Sequence, residues 1–239
     1  MSQNIFEMKR IYKKFDTMLS AQAHVHSLSN PSKMATYGYS ISALECKMGA
    51  ILHELDDMVC SDCYARKGRY IFPDVQNALN KRLSHIKNDP LWVDAMIYLL
   101  NHKKKDKKKL SLFRWHDSGD IQSEEHLDKI CEIARATPNI KHWLPTKEIV
   151  MVRNYSKTHI FPENLNVRIS AFKINGKAVK IDGTTTSVTA TKVGVNKDES
   201  NHDCPIYADK LHVHEHGKSC GDCTACYNRL ITNVTYLKH

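Results

Sequence analysis

Seven of the eight cysteines in this chain fall into two tight groups, one near each end, and no other feature constrains the fold as strongly. The first group is Cys46, Cys60 and Cys63, within CKMGAILHELDDMVCSDCYARKGRY. The second is Cys204, Cys220, Cys223 and Cys226, within CPIYADKLHVHEHGKSCGDCTACY. A C-x2-C pair brings two thiolates to one centre with little loop strain, and soft thiolates at this spacing select zinc or iron–sulfur clusters. No run approaches the roughly 18 apolar residues of a membrane helix, and MSQNIFEMKRIYKKFD lacks the apolar stretch and cleavage site of a secretory signal. The expectation is a cytoplasmic protein with reduced thiols, so clustered cysteines read as metal ligands and not as disulfides.

The 239 residues, 41% of them hydrophobic, suffice for a full-sized core. Short apolar or β-branched runs at Tyr39–Leu44, Leu110–Trp115, Lys141–Leu144, Asn166–Ser170 and Ser187–Ala190 read as buried parallel strands. Helices fill the gaps at Pro73–Ile86, Pro90–Asn101, Ser123–Ala136 and Glu148–Tyr155. In the third, Leu127, Ile130, Cys131 and Ala134 follow helical spacing, which makes Cys131 a core thiol. The alternation predicts an α/β fold with a mainly parallel sheet, a partial or full TIM-type (β/α) barrel. Asn175-Gly176, between Phe172–Ile174 and Lys177–Ile181, is a hairpin signal that breaks the pattern. One compact unit is expected, with a lead-in over residues 1–38, a barrel-like domain over 39–200 and a cysteine-rich metal-binding segment over 201–239.

The first cysteine group follows the first expected strand, and in parallel α/β folds the loops at strand carboxyl ends build the active site. Three thiolates leave one position of a [4Fe-4S] cluster open. The alternative is structural zinc completed by a histidine such as His53, although C-x13-C-x2-C is not a usual zinc spacing. The second group closes a centre unaided. Its C-x2-C-x2-C run and Pro205 after Cys204 favour iron–sulfur, with zinc as the alternative. A third arrangement is one centre shared by both groups. His212, His214 and His216 alternate as on an exposed polar strand face, with metal ligation as the rival reading, and His102–Lys109 is a solvated basic loop or a phosphate contact. FRWHDSGD ends an apolar strand in Ser118-Gly119-Asp120, where a glycine admits a ligand to the backbone and the acid can hold an ammonium group.

CSDCYARKGRY, FRWHDSGDI, WLPTKE and CGDCTACY together resemble the bacteriophage "gene product 88" family, over most of residues 35 to 230. The layout also resembles that of radical S-adenosylmethionine (SAM) enzymes, whose cluster follows the first strand of a TIM-type barrel, although the first-group spacing here exceeds their usual C-x3-C-x2-C. That resemblance implies SAM on the open iron of a [4Fe-4S] cluster held by Cys46, Cys60 and Cys63. Ser118, Gly119 and Asp120 would stand at the motif that holds the SAM amino group, and Arg168 or Ser170 would contact its ribose or carboxylate. Pro145–Lys147 and Val167–Phe172 would face the cofactor, the C-terminal group would be an auxiliary cluster, and a separate electron donor would be the partner. The rival expectation is a non-catalytic basic protein, stapled by metal, that binds nucleic acid or a host protein, as the net charge of +9 permits.

Overall fold

The structure, a computed structural model, describes residues 10–31, 34, 36–102, 111–192, 202–208, 213–214 and 217–238. Its centre is a seven-stranded sheet in which every pairing is parallel. Strands β1 (Tyr37–Tyr39), β2 (Leu112–Trp115), β3 (Lys141–Thr146), β4 (Leu165–Ser170) and β5 (Thr185–Ala190) lie side by side in chain order. Next to β5 comes the last strand, β9 (Asn233–Leu237), and β6 (His202–Asp203) closes the row on its far side. The short pair β7 (Val213–His214) and β8 (Gly217–Lys218) forms a separate antiparallel ribbon. Among the described residues the sheet is open, with β1 and β6 at its edges.

Helices α1 (Met18–Gln22), α2 (Lys47–His53), α3 (Pro73–Asn88), α4 (Trp92–His102), α5 (Glu124–Ala136), α6 (Ile149–Ser156) and α7 (Pro205–Ala208) occupy the connections. Pro73 opens α3, where its missing N–H is no loss. The Ser123 hydroxyl accepts the His126 N–H at 3.1 Å and caps α5. Trp92, Met96 and Leu99 of α4 and Leu127, Ile130 and Ile133 of α5 pack with Phe113, Trp115, Leu144, Leu165, Val167 and Ile169 from one face of the sheet. Cys131 sits in this core with no exposed surface. Phe15, Ala21, Val25 and Leu28 of the lead-in join it too.

The alternate residues of the same strands face the other way. Arg114, Trp143, Asn166 and Arg168 meet the cysteine-rich C-terminal loop: Trp143 packs edge-on against Tyr227 at 5.7 Å, and Asn166 donates to the Cys226 carbonyl at 2.8 Å. Both faces of the sheet are therefore covered, as a parallel sheet requires.

Two expectations are corrected. The first strand is Tyr37–Tyr39 and not Tyr39–Leu44, because Ser42 caps a 3-10 turn over Ala43–Glu45 by accepting the Leu44 N–H. The Asn175-Gly176 hairpin does not form. A tight turn is present, with Asn175 at φ 58° and Gly176 N–H donating to Lys173, but Lys173 bridges to Met58 and the Asn175 side chain binds Thr191 instead of a second strand. The lysines after His102, and the side chains of His212, His214 and His216, lie outside the described residues.

His142 is wholly buried on β3. The Trp115 indole N–H, which can only donate, points at its Nδ1 at 3.3 Å, so Nε2 carries the proton and faces the Thr137 hydroxyl at 2.9 Å. Burial pushes its pKa down to about 3. The unfolded imidazole takes up a proton below about pH 6.5 while the folded one stays neutral, so this contribution to stability is present above pH 6.5 and is lost as pH falls towards 3. In urea titrations, His142→Leu should flatten the acid-side slope of stability by about 1.4 kcal/mol per pH unit; an unchanged slope would mean that the folded ring is charged. Cys131→Ala should lower stability by about 1 kcal/mol and leave metal content unchanged, and loss of a whole centre would place the thiol outside the core.

Candidate metal centres

The first group is assembled at the carboxyl ends of the strands. After β1 the chain makes its 3-10 turn, and Cys46 then stands at the N-cap of α2. Cys60 and Cys63 lie in the loop beyond α2. Two backbone bonds stitch that loop to the end of β4: Val59 N–H donates to Phe172 at 2.8 Å, and Ile174 N–H to Asp57 at 2.9 Å. Met48 N–H donates to the Glu148 carboxylate, just past β3, at 2.8 Å. Each link brings together segments that are distant in sequence.

Gly49 shows how close the thiols come. A Cβ at that position would stand 2.8 Å from the Cys46 Cβ, 3.5 Å from the Cys46 sulfur and 3.9 Å from the Cys60 sulfur. Glycine therefore leaves open the space between two thiols. Burial, then the Asp120 carboxylate and the two neighbouring thiols, pushes Cys46 well above the ordinary thiol range. Burial also raises Cys60, with Lys147 opposing. A bound dication reverses this by taking thiolates as ligands. His53, the histidine that could serve as a fourth ligand, donates Nδ1–H to the Cys60 carbonyl at 2.9 Å, which leaves Nε2 as its ligating nitrogen.

Asp120 is close enough to Cys46 and Cys60 for its charge to act on both, and the polar atoms of Ser118-Gly119-Asp120 hold loops together. Ser118 donates to the Ile41 carbonyl at 2.9 Å. Gly119 has φ 85°, and a Cβ there would fall 2.2 Å from the Ile41 side chain, so only glycine fits. Asp120 accepts from Thr146 Oγ1 at 2.6 Å and Ile121 N–H at 2.8 Å on one oxygen, and from Lys147 N–H at 2.8 Å on the other. It thereby ties the end of β2 to the end of β3. Burial, against those three bonds, pushes its pKa up to about 6.

Sequence reasoning missed two features of this rim. His116, at φ 53°, is buried with neither ring nitrogen hydrogen-bonded, and burial followed by Arg114 pushes its pKa down to about 3. Asp117 accepts the Ser40 hydroxyl, and the Tyr70 hydroxyl at 2.8 Å, while Tyr64 donates to its carbonyl. FRWHDSGD exposed His116 and Asp117 to view, but no spacing links them to Ser40, Tyr64 or Tyr70.

The second group lies elsewhere. Cys204 follows β6, and Cys220, Cys223 and Cys226 lie in the loop before β9. They line a cavity of about 330 Å³ together with His202, Thr36, Leu112 and Lys141, residues at the amino ends of the sheet. Cys223 Sγ is 3.4 Å from His202 Nε2, and Cys226 Sγ is 3.1 Å from the Tyr236 hydroxyl. Burial and the neighbouring thiols push Cys220 up to about 11; burial also pushes Cys204 up to about 12, against the Ile206 N–H. β3 runs from Lys141, which lines this cavity, towards Lys147 and Glu148 beside the first group. Arg168 binds carbonyls of the C-terminal loop, and Ser170, the last residue of β4, pairs with Ser187 at 3.1 Å.

Among the described residues, no three His, Cys, Asp or Glu side chains stand close enough to hold a metal ion as placed. Each cysteine group is gathered in one neighbourhood without being drawn onto one point. The open cradle at Gly49 and the all-thiol donor set fit a soft metal centre at the first group. Gly49→Ala should therefore lower metal content at the first group while the second keeps its own, measured as metal per folded chain. Full retention would mean that the thiols around Gly49 do not serve a common ion.

No curated protein and no solved structure matches the chain. The family profile described as Gene product 88 matches residues 9–229, nearly the whole chain, and no helix among the described residues is long and apolar enough to cross a membrane. Both cysteine groups fall inside that match, and the chain belongs to the Gene product 88 family of bacteriophage proteins.

Proposed function

We propose that the chain is an iron–sulfur protein with a radical-SAM-like layout, working in the cytoplasm of the infected host. The observation that carries the reading is the gathering of Cys46 and Cys60 around the Gly49 cradle, with Cys63 beside Cys46, at the carboxyl ends of β1 to β4. That is where parallel α/β folds put their chemistry. The open-sided parallel sheet stands for the partial barrel of this reading.

Cys46, Cys60 and Cys63 would hold a [4Fe-4S] cluster, and Cys204, Cys220, Cys223 and Cys226 a second, closed one. A reduced cluster with one open iron supplies an electron to a bound ligand, and SAM is the ligand that the layout suggests. The chain's own residues shape the site. Asp120 fixes the β2 and β3 ends, and of its roughly four acceptor positions three are already used. Its remaining lone pair is what it could offer an ammonium group. Arg168 is committed to carbonyls of the C-terminal loop, which leaves ribose and carboxylate contacts to Ser170 at the end of β4 and to the rim formed by Tyr64, Lys147 and Glu148.

A second reading is favoured by that same commitment of Ser118, Gly119 and Asp120 to loop packing. In it the centres are zinc or iron–sulfur staples, and the basic protein binds nucleic acid or a host protein without catalysis. Anaerobic purification separates the readings. The iron–sulfur reading expects brown protein with about eight irons per chain, four for each cubane. SAM should perturb the EPR signal of the reduced protein and yield 5′-deoxyadenosine, with Cys60→Ala abolishing the response and Cys223→Ala leaving it. Colourless protein holding one or two zinc ions would overturn it in favour of stapling.

A further inference from the structure

Arg168 has no exposed surface at all, in the middle of β4 on the inner face. Its guanidinium donates only to carbonyls: Nη1 to Thr186 at 2.7 Å, and Nη2 to Ala225 at 3.3 Å and Ile231 at 3.2 Å. Its Nε has no partner. Among the described residues the ionisable groups that feel its charge are Tyr236 and Cys226, and no carboxylate is one of them. Carbonyl dipoles orient a guanidinium but do not balance its charge, and an arginine cannot shed its proton. A buried ion without a counter-ion costs far more than such hydrogen bonds return.

Arg114 lies on the same face of β2. It stacks over Trp143 at 4.6 Å, its Nη1 meets the Met34 sulfur at 3.1 Å, and its Nε has no partner. Its charge acts on both Cys220 and Cys226. Asp117, which accepts the Ser40 and Tyr70 hydroxyls, also faces it and gives Arg114 a carboxylate that Arg168 lacks. Arg168, buried, and Arg114, half-buried, thus stand beside the C-terminal cysteines, and uncharged thiols offer Arg168 no counter-charge. A dication held by four thiolates carries a net charge of about minus two, whether it is zinc or a cubane of charge two plus.

We propose that Arg168 and Arg114 supply the positive charge that balances a four-thiolate metal centre at Cys204, Cys220, Cys223 and Cys226. The inference rests on the metal-centre reading above and adds that the centre is built on one buried and one half-buried arginine as well as on its cysteines. Both act through charge and position, without ligating.

The test uses full-length protein in a Cys60→Ala background, so that only the C-terminal centre is read, with metal loss followed against increasing EDTA. Arg168→Met should release metal at an EDTA concentration about tenfold to a hundredfold lower, the usual weight of a partner just outside the ligands. Arg168→Lys keeps the charge but cannot fork across three carbonyls, and it should restore most of the retention. If lysine fails as fully as methionine, the carbonyl bonds carry the effect and the proposal falls; unchanged retention in Arg168→Met overturns it too. Should Arg168→Met lose its circular-dichroism signature of folding, Arg114→Met decides, because Arg114 ties no backbone: easier metal loss supports the proposal and unchanged retention overturns it. If the Cys60→Ala protein with both arginines holds no metal at all, the metal-centre reading fails and takes this inference with it. Metal that is present but indifferent to the arginines sinks the inference alone.

Discussion

A sheet whose strands all run parallel has to be buried on both faces, and most of this structure follows from that constraint. Helices cover one face with an ordinary apolar core. The other face is covered by a loop with few large apolar residues, the segment that carries Cys220, Cys223 and Cys226. Hydrophobic burial alone holds such a loop weakly, because its apolar area is small. It is fastened instead by the Arg168 fork, the Asn166 side chain and the Trp143–Tyr227 contact. Its end then runs directly into β9, which pairs with β5 over five residues.

The opposite end of the sheet solves a different problem. Parallel strands deliver several loops to their carboxyl ends, and those loops need mutual support. Asp120 supplies it by accepting two backbone N–H groups and one hydroxyl from the loops after β2 and β3. Ser118 and Gly119 clamp the end of β1 through Ile41. The Cys46–Cys63 loop rests on this frame and is stitched to the end of β4. Three acceptor bonds on a carboxyl that burial has pushed up to about 6 mark a group held for its geometry at the expense of its solvation.

The two cysteine groups thus occupy unlike environments. The first sits at a rim formed by loops, with Gly49 against the Cys46 and Cys60 sulfurs. The second lines a cavity at the amino ends of the strands, next to the buried Arg168, the half-buried Arg114 and the Tyr236 hydroxyl. The same residue type at similar spacing serves both, and the surroundings make the difference.

The sequence by itself determined the α/β alternation, the helices α3 to α6 nearly to their ends, the burial of Cys131 and the membership of seven cysteines in two groups. These depend on local periodicity, on capping residues such as Ser123 and on short spacings, all of which are carried by neighbouring residues. Only the tertiary structure decided that the groups lie at opposite ends of the sheet, that β9 joins β5, that Asn175-Gly176 makes a turn without a hairpin, and that Arg168 serves the C-terminal loop. Each of these depends on pairing or contact between residues far apart in the chain. Strand order, the face to which an arginine turns and the counter-charge that it meets are set by which surfaces must be covered together, and no local pattern encodes that.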